Sequence, residues 1–316
     1  MDAEALLATA RRPLVIGIGG GGDVVGALAT AEACRLYAGA YPVVGGVTWE
    51  RTPIDPLPGP RSVAEIEGLV GRLAPAVVLA GPDTAVRANG ARFAESRMAR
   101  FLGHETVLVD VTGGPGPVAE GVEAAATALD VDLLVFVDVG GDVLATGSEP
   151  GLASPLCDAV MLAAAARLAG GSSRPVLGAI FGPGCDGELT LDEVAGQISM
   201  LGGAGALAGM RGLTPAVAER LEGAIRAVPT EASAQAVRCF RGARGAAPIR
   251  GGQRSVPLSP AGATTTFFDV PTALRVAAPL AAAVVGATDL EHANQMLNAR
   301  GVRTELDAER ERAGTS

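Results

Sequence analysis

The chain predicts an α/β fold, Rossmann-like and doubly wound, with a mostly parallel sheet covered by helices on both faces. Three observations carry this expectation. Short runs that are apolar almost throughout, such as Leu14–Ile18, Glu105–Val111, Asp132–Val139 and Pro175–Phe181, alternate with longer segments of helical periodicity. A strand that is apolar on both faces is buried on both, and helices supply the cover. The runs end in glycine-rich turns, where a missing Cβ lets the backbone double back tightly. Finally, the 316 residues are 48% hydrophobic and 19% charged, with 44 glycines and 3% aromatics, which suits small-residue helices packed closely on a sheet.

In chain order, MDAEALLATARRP is a short amphipathic helix with its acids early, unlike a signal peptide. Leu14–Ile18 is the first strand. It passes through four consecutive glycines to Asp23, and Asp23–Ala38 is a helix whose acidic start suits the dipole, closed by Gly39. Tyr41–Thr48 is the second strand. The four prolines in the fourteen residues of WERTPIDPLPGPRS, Trp49–Ser62, predict an ordered, non-repetitive loop. Arg61–Leu73 reads as helix, Pro75–Ala80 as strand and Thr84–Gly103 as helix. Strand Glu105–Val111, helix Pro117–Leu129, strand Asp132–Val139, helix Leu156–Gly170 and strand Pro175–Phe181 follow. Beyond them are helices at Thr190–Met200, Thr214–Ala227 and Val228–Gly242, then a loop at Arg244–Ala263. A β segment at Thr264–Val270, helices at Pro271–Val285 and Asp289–Arg300, and a strand at Val302–Leu306 close the list. The expected organisation is one α/β domain over residues 1–308 and a frayed tail over 309–316.

Composition excludes several function classes. A net charge of −9 argues against a broad basic surface for nucleic acid. The mean hydropathy of +0.34 prompts a search for membrane spans. Val270–Ala287 is interrupted by Pro271, Arg275 and Pro279, and the glycine-rich run Val194–Met210 falls short of the roughly 20 apolar residues a spanning helix needs. A cytoplasmic protein with neither membrane nor nucleic-acid partner is expected, its surplus apolar surface covered in a homo-oligomer. The cysteines Cys34, Cys157, Cys185 and Cys239 are far apart and without a C-x-x-C, which argues against disulfides and zinc. His104 and His292 have no partner histidine or cysteine nearby in sequence, which argues against either as a metal ligand.

Four apolar runs end in glycines with a carboxylate nearby: GIGGGGD (Asp23), VDVTGG (Asp110), VDVGGD (Asp138, Asp142) and GPGCDGE (Asp186, Glu188). In an open parallel sheet the carboxyl ends of the strands line one edge, which is where ligands bind. Gly17, Gly19 and Gly22 satisfy G-x-G-x-x-G, so Gly19, Gly20, Gly21 and Gly22 are candidates to cradle the polar end of a ligand, against turn geometry alone. Asp23 opposes a bare phosphate there; it caps the helix, meets a hydroxyl or amine, or holds Mg²⁺. Trp49 and Glu50 enter at the next strand end, Glu50 as a loosely spaced ribose ligand or a catalytic acid. Arg51 and Arg61 bind an anion or fix the proline-rich loop. In DVGGDVLATGSEPGLASPLCD, Asp138 and Asp142 are the candidate proton carriers, with Gly140, Gly141 and Glu149 lining the ligand site. Asp138 is flanked by valines, so it is the acid most exposed to desolvation. The alternative for Asp138 is an acid that pins a loop. Ser148 and Ser154 are not in a G-x-S-x-G elbow, which argues against a serine hydrolase.

The motifs GIGGGGDVVGA, GGVTWERTPIDPLPGPR, VDVGGDVLATGSEPGLASPLCD and GPGCDGEL, in that order, resemble the DUF1152 family from Pro13 to about Leu306. The resemblance implies a cytoplasmic α/β protein of the kind found in archaea and bacteria, and brings with it no activity, substrate or catalytic residue. The residues themselves favour an enzyme, lyase or hydrolase, acting on a small polar metabolite, phosphorylated or nucleotide-like, by carboxylate acid/base chemistry with or without Mg²⁺. The alternatives are a non-catalytic nucleotide-binding regulatory module and, on the G-x-G-x-x-G alone, an NAD(P)-dependent oxidoreductase.

Overall fold

The structure, a computed structural model, describes residues 1–314. Helix α1 (Ala3–Thr9) precedes strand β1 (Pro13–Gly17), helix α2 (Asp23–Ala38) and strand β2 (Val43–Val47). Strands β3 (Ile66–Ala74) and β4 (Val77–Val86), helix α3 (Ala94–Leu102), strand β5 (Thr106–Val109) and helix α4 (Pro115–Ala128) come next, then strand β6 (Leu133–Val139), helix α5 (Pro155–Gly171) and strand β7 (Val176–Phe181). Helix α6 (Leu191–Gly203), strand β8 (Leu207–Gly212), helices α7 (Pro215–Ala227) and α8 (Glu231–Phe240), and strands β9 (Gly245–Ile249), β10 (Arg254–Leu258) and β11 (Thr264–Asp269) lead to helices α9 (Val270–Val276), α10 (Pro279–Val284), α11 (Leu290–Asn298) and α12 (Glu305–Gly314).

Nine strands form one sheet in the order β3-β4-β5-β2-β1-β6-β7-β11-β8, and β9 and β10 form a separate antiparallel hairpin. The central run β5-β2-β1-β6-β7 is parallel throughout. Antiparallel strands extend it on both sides, β4 and β3 beyond β5 and β11 and β8 beyond β7. The chain winds outward from β1 through β2 to β5, then returns to the other side of β1 for β6 and β7. The winding therefore reverses between β1 and β6, and a crevice opens at the carboxyl ends of strands at such a switch point.

Alternation along the strands sorts side chains between two cores. Leu14 and Ile16 of β1 and Leu134 and Phe136 of β6 pack with α4, α5, α10 and α11. Val15, Val135, Val137 and Val139 pack on the opposite face with α2, α7 and α8. Both layers are rich in alanine: α5 buries Ala159, Ala163, Ala164 and Ala165 among its larger neighbours, which lets it lie close to the sheet. Asp138, next after Val137, falls on the α5 face by the same alternation.

Several elements differ from expectation. Residues 61–73 form no α-helix: Val63–Glu65 is one 3₁₀ turn, and most of the rest belong to β3, an edge strand whose long pairing with β4 outweighs local helix propensity. The helix expected over Thr84–Gly103 is confined to α3, because β4 runs on to Val86 and a turn at Gly90, with positive φ, carries the chain back. Residues 244–263 hold the β9–β10 hairpin rather than an open loop, turned by positive-φ Gly251 and Gly252. Pro271–Val285 splits into α9 and α10 at Pro279, and β8 is a strand within the glycine-rich run. Val302–Leu306 is not a strand. Thr304 and Asp307 bond reciprocally, each side chain accepting from the other's backbone N–H, and start α12, which continues to Gly314 where fraying was expected from Glu309. Thr315 and Ser316 of that tail lie outside the described residues. Among the described residues no helix is long and apolar enough to cross a membrane, and all four cysteines are buried and unbridged.

Candidate functional site

The loop after β1 is shaped by contacts a side chain would block. A Cβ on Gly19 would lie 2.6 Å from Asp23 Oδ2 and 3.1 Å from Asp158 Oδ2, and one on Gly22 would run into Thr230 at 2.4 Å. Gly20 has positive φ and sits against the carbonyl of Trp49. Two of the amides in this loop already have partners: Gly19 N–H donates to Asp23 Oδ2 at 2.9 Å and Gly21 N–H to the Trp49 carbonyl at 2.9 Å. The loop thus delivers Asp23 at the start of α2, with its carboxyl turned back over Gly19 and close to the Val139 N–H at the end of β6.

Asp23 meets acids from three other segments. Asp138 ends β6, Asp142 stands on the single 3₁₀ turn Asp142–Leu144, Asp158 occupies the first turn of α5, and Asp186 and Glu188 come from the loop after β7. They form two groups, Asp23 with Asp138 and Asp158, and Asp142 with Asp186 and Glu188, each with one oxygen per residue within 4.8 Å of the others. Asp138 faces Asp142, which joins the groups. Gly140 makes room for this crowding: its φ is +124°, and a Cβ there would lie 2.1 Å from Asp186 Oδ1.

Burial dominates the electrostatics. It pushes Asp138 up to about 7, against the lowering pull of Asp142 and the N–H groups of Val143 and Gly141. Burial, together with the neighbouring acids, also holds Asp23, Asp142, Asp158 and Asp186 well above the usual carboxylate range. Glu188 is the exception. It accepts from Ala153 N–H at 2.7 Å, Ser154 N–H at 2.8 Å and Ser154 Oγ at 2.5 Å, and pairs with Arg254 Nη1 at 3.1 Å, so its pKa is lowered despite burial. Asp138 Oδ2, Asp158 Oδ1 and Asp186 Oδ1 are buried without a hydrogen-bond partner.

The other sequence candidates hold the surroundings together. Glu50 is buried apart from the six acids. Its Oε1 accepts from Ala94 N–H, the first amide of α3, and burial raises its pKa to about 7. Trp49 is fully buried and donates from Nε1 to Glu309 at 3.1 Å, with the Arg51 guanidinium 4.3 Å above its ring. Arg51 donates to the Gly19 carbonyl at 2.8 Å and pairs with Glu305 and Glu309 at 3.4 and 3.3 Å. It braces the glycine loop, and its charge is committed to α12. Arg61 pairs with Asp55 and Glu65 and donates to the carbonyls of Leu57, Pro58 and Gly59, which ties down the proline-rich loop. Glu149 pins a turn through Thr146 and Gly147. Asp110 likewise accepts from Val63 and Thr112. Gly141, with φ +115°, packs under Val194.

Asp158, Glu305 and Glu309 were not singled out from the sequence. Arg254, one of the cations of the expected loop Arg244–Ala263, stands instead on β10 of a hairpin. Asp158 lies in a quoted motif but reads as an ordinary first-turn acid of a helix, and Glu305 and Glu309 come from a segment expected to end the fold. Glu305 also accepts from Leu156 and Cys157 N–H at 2.9 Å each, capping α5 beside Asp158. The sequence signal for Glu305 and Glu309 is their i,i+4 spacing, which puts both carboxylates on one face of a helix.

No curated protein and no solved structure matches the chain. A family model described as Protein of unknown function (DUF1152) matches residues 14–313, a range that takes in every element of the site from β1 to α12. The chain belongs to the DUF1152 family.

Proposed function

We propose that this protein is an enzyme of hydrolase or lyase type, acting on a small polar metabolite, phosphorylated or nucleotide-like, at the carboxylate cluster on the β1–β6 switch point. The observation that carries the proposal is the meeting of six carboxylates from four strand-end and helix-start segments in a buried space, three of them with an oxygen that no protein group satisfies. Buried acids are costly unless they are protonated or neutralised. A fold that gathers them at the switch point of its sheet, where ligands of open α/β sheets bind, concentrates the groups that move protons or hold a divalent cation. The glycine loop supports cluster chemistry over capture of a phosphate on bare amides, since Gly19 and Gly21 spend their N–H groups within the protein.

Within the cluster Glu188, ionised by its four donors, serves as a fixed negative charge. Asp138, pushed up to about 7 by burial, exchanges a proton around neutral pH when no cation is bound. Asp138→Asn keeps the shape of the side chain and removes its proton exchange and its charge. Against a panel of phosphorylated and nucleotide-like metabolites, the variant is expected to melt close to the wild type and to turn over the substrate found for the wild type about 10²–10⁴-fold more slowly. Turnover per folded molecule equal to the wild type, with early melting, would make Asp138 a loop-pinning residue and remove it from the chemistry.

A further inference from the structure

We propose that the cluster is a two-cation centre, with Asp23, Asp138 and Asp158 holding one divalent ion and Asp142, Asp186 and Glu188 the second. The proposal deepens the enzymatic one and rests on the same placement of the site. It concerns ions bound, not turnover, so the two can fail separately.

Geometry comes first. Two oxygens on one Ca²⁺, each about 2.3–2.6 Å from it, lie no more than about 5 Å apart, so three carboxylates with oxygens within 4.8 Å of one another fit a single ion of that size, and Mg²⁺ would draw them to within about 4.2 Å. There are two such groups, they share no residue, and they touch where Asp138 faces Asp142. Paired ions in two-metal sites are about 3.5–4 Å apart, and Asp138 and Asp142 are the residues through which two ions here would be neighbours. All-oxygen donor sets with neither histidine nor cysteine select hard cations.

The independent observation is the state of the oxygens. Asp138, Asp158 and Asp186 are 1%, 2% and 6% exposed, and each keeps one buried oxygen without any hydrogen-bond donor; both Asp158 oxygens lie over Gly19 beside Asp23 Oδ2. Buried polar atoms in folded proteins nearly always have partners, so three carboxylate orphans in neighbouring residues, out of twelve such atoms among the described residues, point to a missing positive partner. The orphans are divided between the groups, Asp138 and Asp158 in the first and Asp186 in the second. Charge favours two ions over one. Fully ionised, as metal ligands are, the six carboxylates would carry six negative charges, and Arg254, paired with Glu188, would return one. A single divalent ion would leave about three negative charges buried together, whereas two leave about one, which the starts of α2 and α5 are oriented to favour.

The test is ion stoichiometry. Protein freed of metal by chelator and dialysis is titrated with Mn²⁺, free ion being read by electron paramagnetic resonance, and the same samples are followed for melting temperature. Two bound equivalents are expected for the wild type. One is expected for Asp158→Asn and one for Glu188→Gln, each variant keeping the ion of the other group. Glu50→Gln, outside both groups, should keep two. One equivalent in the wild type would overturn the pair, and none would overturn the centre altogether. Should either variant fail to fold, Asp23→Asn or Asp142→Asn replaces it, and the wild-type count alone still decides. Two ions bound without turnover of any metabolite would leave the centre standing and refute the enzyme.

Discussion

Glu50 shows how one buried acid can set a pH response. Its pKa is raised from 4.5 to about 7 by burial, so the folded protein holds a proton that the unfolded chain has already released. Its contribution to stability is therefore greatest below about pH 4.5, is lost as pH rises through 7, and levels off above; the span is about 3 kcal/mol. Glu50→Gln keeps an acceptor for Ala94 N–H and removes the titration. The variant's stability should fall less between pH 5 and 8 than that of the wild type, and parallel profiles in denaturant titrations at several pH values would contradict the assignment. Gly140 and Gly39 make a second pair of tests at this scale. Both have positive φ, but a Cβ on Gly39 meets nothing within 4 Å while one on Gly140 would strike Asp186. Gly39→Ala should cost about 1–2 kcal/mol for its backbone alone. Gly140→Ala should cost more and also weaken cation binding, an effect Gly39→Ala should lack. Equal losses with unchanged cation affinity would show that Gly140 does not shape the site.

At the scale of elements, the parallel strands and their following helices were legible because a strand buried on both faces must be apolar throughout, as Leu133–Val137 is. The positions of Asp23, Asp138, Asp142, Asp186 and Glu188 follow from that, since each lies just past an apolar run. What pairing decides was not legible. β3 has the polar, glycine-broken composition of an edge strand and gains its structure from β4, and Arg254 reaches Glu188 only because a hairpin folds back over the β7 loop. The proline-rich loop announced Arg51 and Arg61 but not their partners. Helix α12 supplies those of Arg51, and through Glu309 it also holds Trp49 and the Gly59 N–H, the latter at 2.8 Å. Arg51→Met would leave Glu305 and Glu309 buried without their cation, a loss of about 3–5 kcal/mol. Hydrogen exchange should show α12 and the loop Gly19–Gly22 losing protection together in this variant. Protection unchanged in either segment would break the proposed brace.

For the whole molecule, the winding of one sheet brings Asp23 and Asp138, 115 positions apart, to the same switch point, and lays the starts of α2 and α5 beside them. A centre built from so many acids weakens the fold unless something positive completes it. The direct measurement is the melting temperature of the wild type and of Asp186→Asn at neutral pH, in chelator and with saturating Mg²⁺ or Mn²⁺. The wild type should gain stability with the ion, by about 2.7 kcal/mol for each ion bound at a hundred times its dissociation constant. Asp186→Asn, relieved of one buried charge, should match or exceed the wild type in chelator and gain less from the ion. A wild type that melts at the same temperature with and without the cation, or a variant that gains as much, would contradict the claim that these acids form a cation-completed functional centre.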